Sequence, residues 1–411
     1  MRAQDVLVPT AFILNMFGTG LGIARNLGSY GIPVVGIDSR ADTPGSFSRC
    51  CRCVIGPDSQ NEPEQLVEFL TTIGKSQDQK GILFPTRDAD VIFMNRFRKE
   101  LETFYVIPQP QHDTLDRIMN KARLACVAES VGIGTPLTIQ ISSMVELNKK
   151  QDTIHFPAVV KPIYAHQWKF PRIWEAVGRR KGIKVDEFRE LVQVYEQISP
   201  HSNDIIVQEW VHGREDQFFV LGAYFDLNSE CLGAFTFQKI LQYPPDFGLG
   251  CLDRTVHNEE VWSLGIRLLK AIGFTGIAEV EFKKDSRTGK YLLIEVNPRH
   301  WDQHTLGTAC GVNLSYLAYI DLCTPVPPPQ MVQEAKSIWW MSGGGLYGVL
   351  KESLRERKCG SLRVLPTLLL GKKVFALYDW HDPKPFLRLM TIRKKSQRLS
   401  TRARRSRMES S

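Results

Sequence analysis

Nowhere in these 411 residues do apolar side chains run on for the about 20 positions that a helix needs to cross a bilayer, so no helical membrane span is expected. Paired cysteine spacing is missing as well. Of nine cysteines only Cys50, Cys51 and Cys53 cluster, and no Cys or His pair follows at zinc-ligand spacing, which argues against a disulfide framework and against a zinc module. Such usage fits a reducing cytoplasm. The N-terminal apolar run is cut by Pro9 and Asn15 and preceded by Asp5, so it does not read as a signal peptide. No nucleophile triad suggests a hydrolase.

Basic charge spread over the chain is also lacking. From Arg388 to the C-terminus nine Lys or Arg stand against one Glu, which accounts for the whole net charge of +8. The remainder is formally neutral, and nucleic acid is not an expected partner. The tail, with Arg393, Lys394, Lys395, Arg398, Arg402, Arg404, Arg405 and Arg407, reads first as a solvated end and second as a contact for a polyanion or an acidic membrane surface.

What is present suits a globular chain of two or three domains, with 43% hydrophobic and 23% charged residues. Val6 to Met16 reads as a buried strand, Gly18-Thr19-Gly20-Leu21-Gly22 as a turn into a short helix, and Ile32 to Ile37 as a second strand ending at Asp38. This βαβ pattern suits a dinucleotide, with Asp38 on a ribose, except that Ile23 stands where the third glycine of that fingerprint belongs. Gly81 to Pro85 predicts another strand, with Thr86, Arg87 and Asp88 at its carboxyl end. A single helix is expected over Asp113 to Gly132. Beyond it, Ala158 to Pro162, Ile205 to Val211, Gln217 to Ala223, Cys231 to Phe237, Ile277 to Phe282 and Tyr291 to Val296 predict a mixed, mostly antiparallel arrangement. Pro325, Pro327, Pro328 and Pro329 then form a stiff break.

The segment Ile277 to Arg299 carries the most chemistry. Two strands flank a turn of Asp, Ser, Thr and Gly, so a hairpin is expected. Alternation puts Glu279 with Glu281, and Glu295 with Asn297, on one face, each pair about 6 to 7 Å apart. Val280, Phe282, Leu292, Ile294 and Val296 are expected to face the core. Pairing the strands gathers Glu281, Glu295 and Asn297, oxygen donors that suit Mg²⁺, with Mn²⁺ as a substitute. Carboxylates so close repel unless a cation sits among them. A solvated strand face is the plainer alternative, but Pro298 stiffens the exit and Arg299 sits beside the acids.

Glu-Val-Asn-Pro-Arg after an apolar strand, preceded by Gly-Ile-Ala-Glu-Val-Glu-Phe, resembles the metal-binding signature of the ATP-grasp superfamily, and in particular uncharacterised bacterial carboxylate-amine ligase-like members. Lys121, the strand Val159-Val160-Lys161-Pro162 and the segment Gln208 to Glu215 follow in that family's order. The resemblance implies an α/β, Rossmann-like pre-ATP-grasp domain over 1–112 and a lid or first ATP-grasp subdomain over 113–205. A second subdomain with the metal site would span 206–327, an α+β fold with mixed antiparallel sheets, and a C-terminal extension with the basic tail 328–411. It implies phosphate-holding roles for Lys121 and Lys161, adenine contacts from the backbone of Glu209 and Val211, and a ribose contact from Glu215. Glu281, Glu295 and Asn297 would hold magnesium, and Arg299 would stabilise the transferring phosphoryl group. The implied activity is ATP-dependent activation of a carboxylate as an acyl phosphate and its coupling to an amine, with an inactive nucleotide-binding scaffold as the alternative. One departure is that Tyr164 to Phe170 replaces the usual glycine-rich flap. Gln238 to Gly248 reads as a loop in which Lys239 and Tyr243 either orient the acceptor or the carboxylate or cap a sheet edge, and His300, Trp301, Asp302, Gln303 and His304 are expected to line the substrate pocket.

Overall fold

In the computed structural model, which describes residues 8–202, 204–323, 328–356 and 371–392, the strands of those residues form three sheets. The first contains β1 (Ala11–Leu14), β2 (Val34–Asp38), β3 (Arg52–Ile55), β4 (Gly81–Phe84) and β5 (Tyr105–Val106), all parallel, in the order β3-β2-β1-β4-β5. β1 and β4 are continuous apolar runs, buried at every position, as a sheet covered on both faces requires. Strand order reverses between β1 and β4, and such reversals open a crevice at the carboxyl ends, here beside Gly18 and Thr86-Arg87-Asp88.

The glycines after β1 serve close packing. A Cβ on Gly20 would lie 2.1 Å from the Asn15 carbonyl oxygen, and one on Gly22 would lie 2.6 Å from the His304 ring. Asp38 is committed to the turn, accepting from the Met16 N–H at 2.6 Å and the Arg40 N–H at 3.0 Å. These contacts occupy the acid that the dinucleotide alternative needs for a ribose.

The predicted single helix Asp113–Gly132 is two helices, His112–Met119 and Lys121–Ser130. Asn120 leaves the helical region with φ −83° and ψ 108°, and its side-chain oxygen accepts from the Ala122 and Arg123 N–H groups at 3.1 Å each. An Asn side chain competes with the helical backbone wherever it can cap instead, an arrangement worth about 1 kcal/mol. The break makes Lys121 the first residue of the new helix. Its N–H donates to the Ile163 carbonyl at 3.2 Å.

That contact meets the second sheet, which is antiparallel in the order β6-β9-β7-β8: β6 (Thr138–Ile141), β7 (Ala158–Pro162), β8 (Ile183–Val185) and β9 (Ile205–Glu209). Ile141, Val160, Trp168, Leu191 and Val207 form its core.

The third sheet is built on β10 (Phe218–Phe225), β11 (Cys231–Tyr243), β12 (Leu249–Thr255), β13 (Gly276–Lys284) and β14 (Tyr291–Asn297). Residues 238–243, expected as loop, continue β11 and pair with β12. The strand is polar there because Lys239 and Gln242, with register shifts between them, both line a polar cavity and are only 6% and 5% exposed. Beyond Pro328 and Pro329, β15 (Met331–Val332) joins β11, while β16 (Ile338–Met341) and β17 (Lys372–Phe375) extend the edge past β12. Asp382 fastens this C-terminal segment to the first sheet's layer, accepting from Arg25 Nε at 3.0 Å, Ser48 Oγ at 2.6 Å and the Arg49 N–H at 3.1 Å. Ile13 and Phe84 share one apolar cluster with Val220, Phe235 and Trp301, so the first and third sheets pack together. Pro325, Pro327 and the basic tail from Arg393 lie outside the described residues. Among the described residues no helix is long and apolar enough to cross a membrane.

Candidate active site

The hairpin pairs as its alternation requires, with Glu279 opposite Asn297, Val280 opposite Val296 and Glu281 opposite Glu295. Val280, Phe282 and Val296 are buried in the core, and the acids turn into a cavity of about 470 Å³ between the three sheets. Leu292 and Ile294 do not join the core as expected. A register shift between Glu281 and Phe282 sets Phe282 against Leu293, so Leu293 is buried and Ile294 lines the cavity beside Glu295. A bulge adds one residue to a strand and so reverses which faces the following side chains take.

Inside the cavity the acids are held by specific partners. Asn297 Nδ2 donates to Glu279 at 3.0 Å and to Glu295 at 3.2 Å, and Lys239 Nζ donates to Glu281. Burial, with Glu281 beside it, pushes the Glu279 carboxyl up to about 8. Burial acts in the same sense on Glu295, but Lys121, Lys181, Lys239 and Lys161 outweigh it and hold that carboxyl low. Glu279, which the sequence pattern put on this face without a role, is therefore the acid least stable as an anion. The three carboxylates on two neighbouring strands are hard oxygen donors, while the Asn297 amide turns its nitrogen to two of them and its oxygen to Arg299, and the repulsion felt by Glu279 is what a divalent cation would relieve. The chemistry of these donors fits magnesium, although among the described residues no three acidic, His or Cys side chains are arranged to hold a metal ion.

Arg299 is aimed by the first sheet. Its Nε donates to Asp88 at 2.6 Å, its Nη2 to the Asn297 side-chain oxygen at 3.3 Å, and Lys169 Nζ donates to the other Asp88 oxygen at 3.0 Å. Burial would raise the Asp88 carboxyl, yet Arg299 and Lys169 hold it far below the usual carboxylate range. Lys121 and Lys161 face these groups across the cavity. Lys161 Nζ donates to Gln208 Oε1 at 2.8 Å. Burial and the charge of Lys121 push the Lys161 ammonium down to about 8, and burial lowers Lys121 too. Burial and neighbouring lysines, Lys121 for Lys161 and Lys169 with Lys181 for Lys121, lower both ammonium groups, and a phosphate anion would stabilise both.

Glu209 and Val211 line the same cavity beside Trp210, with Val159, Phe218 and Ile294 as apolar walls. The Glu209 carboxylate is taken by Arg287 at 3.0 Å, and among the described residues the Val211 N–H donates to no backbone carbonyl. A free N–H next to an apolar slot suits the edge of a flat heterocycle. Glu215 is not part of the lining. It stands at the rim, where burial raises its carboxyl while the Gln242 and Asp246 N–H groups donate to it.

Of the cluster after Arg299, Trp301, Asp302 and Gln303 line the cavity, but His300 and His304 are buried behind it, bound to Ser315 Oγ at 2.9 Å and the Trp301 carbonyl at 2.6 Å. Tyr243 turns away as well, toward Gly348 of the helix Gly343–Glu356. Tyr164 to Phe170 contributes Ala165, Trp168 and Lys169 to the wall, and Trp174 and Lys181 follow it there. The eight cysteines among the described residues are free thiols, and Cys51 and Cys53 lie 3.8 Å apart at their sulfurs.

With the geometry described, comparison with known proteins adds three observations. Residues 225–320, which hold the hairpin, match the family model described as the carbamoyl-phosphate synthase L chain ATP-binding domain. The chain is 23% identical over 312 residues to a D-aspartate ligase of Enterococcus faecium, covering 72% of each, and 27% identical over 184 residues to a D-alanine–D-alanine ligase B of Pseudomonas putida, covering 44% of this chain and 54% of that one. A solved ADP complex of N5-carboxyaminoimidazole ribonucleotide synthetase superposes with a TM-score of 0.64 at 12% identity, over 85% of this chain and 86% of that one. The resemblance to the ATP-grasp superfamily is borne out, and the chain has that fold.

Proposed function

We propose that this chain is an ATP-grasp ligase that uses ATP to activate a small-molecule carboxylate and couples it to an amine. One observation carries the proposal: a single cavity holds Glu279, Glu281, Glu295 and Asn297 on one wall and Lys121 and Lys161 on the other, with Arg299 aimed between them by Asp88. Opposed acids and ammonium groups suit a metal-triphosphate, which needs both signs at once. The ligase names borne by the relatives support the same chemistry.

In this mechanism Lys121 and Lys161 grip the phosphates, and the adenine lies in the apolar slot against the backbone of Glu209 and Val211. Glu281 and Glu295, with Asn297, would hold magnesium, which when bound neutralises phosphate oxygens. A carboxylate oxygen of the substrate attacks the γ-phosphorus in line, the bond to the β–γ bridging oxygen breaks, and ADP leaves. Arg299 stabilises the charge on the phosphoryl oxygens during that transfer. The amine nitrogen then attacks the acyl carbon, the carbon–oxygen bond to phosphate breaks, and the nitrogen loses its proton to leave an amide and inorganic phosphate. Holding both substrates in one cavity supplies the proximity. Trp168, Lys169 and Trp174 close the wall from which water must be kept during the life of the acyl phosphate. Lys239, locked to Glu281, orients that acid and the substrate end of the cavity. The supply of ATP assigns the reaction to the cytoplasm.

The test is ADP release measured over a matrix of amino and hydroxy acids against amines, with magnesium varied. Ligation requires that ADP release depend on both a carboxylate and an amine, and that Glu281→Gln raise the magnesium requirement. ADP release indifferent to every acceptor would count decisively against ligation, and nucleotide binding without any ADP release would mark a scaffold.

A further inference from the structure

An amine that enters the cavity as its ammonium must lose two protons before a neutral amide is left, and a carboxylate is the group best suited to receive them. Seven carboxylates of the described residues line the cavity. Asp88 is held by Arg299 and Lys169, Glu209 by Arg287 and Glu281 by Lys239. Glu279 and Glu295 share the Asn297 amide within the acid cluster of the hairpin. Asp246 is exposed beside Phe247, whose ring meets Trp210 edge-on at 6.1 Å, at the end of the cavity that suits a heterocycle. Asp302 is the one left over. Its Oδ1 accepts from Thr19 Oγ1 at 2.7 Å, and among the described residues no cation pairs with it and nothing donates to its Oδ2.

The position of this carboxylate is fixed from both sides. Thr19 stands in the first turn of the helix Gly18–Gly28, and a Cβ on Gly18 would lie 3.3 Å from Asp302 Oδ1. Asp302 follows Arg299 by three residues, so their Cα atoms are no more than about 11 Å apart. Arg299 Nη1 on the His300 carbonyl at 3.0 Å, His300 on Ser315 Oγ at 2.9 Å and His304 on the Trp301 carbonyl at 2.6 Å pin this short segment. Beside it, the Gln303 amide nitrogen is committed to the Gly250 carbonyl at 3.1 Å and to Asp253 at 3.3 Å, which leaves its oxygen for the cavity. A carboxylate next to an amide oxygen suits a ligand that brings its own N–H donors. It repels the substrate carboxylate, which Arg299 attracts, so charge sorts the two substrates.

We propose that Asp302 holds the ammonium of the acceptor amine and takes its protons as the amide forms. The assignment rests on the chain being an amide-forming ligase. The ammonium gives one proton to the Asp302 carboxylate, which passes it to water, and the freed nitrogen lone pair attacks the acyl carbon. The carbon–oxygen bond then breaks with its electron pair on phosphate, and Asp302 takes the second proton from the nitrogen.

The experiment compares acceptors that need a base with one that does not. Hydroxylamine is largely uncharged at neutral pH and traps an acyl phosphate as a hydroxamate, whereas methylamine and glycine arrive as ammonium ions. With an acid that supports ADP release, Asp302→Asn should keep hydroxamate formation within about twofold while amide formation falls about a hundredfold. The KM for the amine should rise, the KM for the acid should not, and Asp302→Glu should recover part of the amide. Equal loss with hydroxylamine and with the amines, or a raised KM for the acid, overturns the proposal, because Asp302 would then serve the acid or the fold. Undiminished amide formation in Asp302→Asn overturns it as well. Hydroxamate without amide from any amine in the parent overturns it while leaving activation of the acid in place. Absence of hydroxamate with every acid in the parent overturns the ligase reading itself, and the proposal falls with it.

Discussion

The ammonium of Lys161 supplies the sharpest test of the phosphate site. Burial and Lys121 lower it from its ordinary 10.5 to about 8, so in the free protein it loses its proton about 2.5 pH units early. A phosphate needs the charged form, and binding must restore the proton. Below pH 8 the lysine is already charged, and ATP binding takes up no proton there. Above pH 8 it is neutral in the free protein, so binding draws a proton from solution and affinity falls. The loss is about tenfold per pH unit, up to about 300-fold if the bound lysine returns to its ordinary range. Titration calorimetry with a non-hydrolysable ATP analogue between pH 7 and 9.5, in buffers of different ionisation enthalpy, reads both affinity and proton uptake. Glu279 titrates near the same pH, but its ionisation strengthens metal binding, which is the opposite sign. Lys161→Met separates the two: it should bind weakly at pH 7 and lose the decline above pH 8. A flat affinity in the parent, or an undiminished decline in Lys161→Met, would refute the placement of this lysine on phosphate.

Three further outcomes follow from the geometry. Asp88→Asn frees Arg299 and Lys169 from the carboxylate that aims them, and kcat should drop by about a hundredfold with the KM for ATP little changed, as steady-state ADP release will measure. Asn120→Ala removes the cap that starts the Lys121 helix, so urea unfolding should report a loss of about 1 kcal/mol while the KM for ATP rises. Gly22→Val forces a side chain into His304 and Thr305, and thermal melts with urea titration should show destabilisation of about 1 to 3 kcal/mol without any new dinucleotide phenotype.

How far the sequence could be read depends on what each polar residue faces. Where a strand separates apolar core from cavity, period-two alternation is legible, and Glu281, Glu295 and Asn297 were identifiable from it because Val280 and Val296 fill the other face. Alternation fails at a bulge, since one added residue reverses the pattern without any compositional sign. That is why alternation points Ile294 to the core although it lines the cavity. The helix break at Asn120 had a local signal, an Asn followed by a good helix former, but the apolar periodicity on both sides masked it.

The polar stretch 238–243 shows the deeper reason. Polarity in a sequence reports contact with polar surroundings, and water is only the commonest of these. Gln238 to Tyr243 has the composition of a loop, yet Lys239 and Gln242 are nearly as buried as core residues. Lys239 on β11 can be buried because Glu281 on β13, two strands away with β10 between them, meets it across the sheet face. Each of the two charges would be costly alone, and neither the strand nor its partner reveals the match by itself. A segment of this kind becomes readable only after the acids it answers have been located. The charged residues of the cavity must therefore be assigned as a set, and the same dependence predicts that Lys239→Met and Glu281→Gln will be non-additive in stability. Losing either partner strands the other, and the double variant should recover part of the loss of the worse single one.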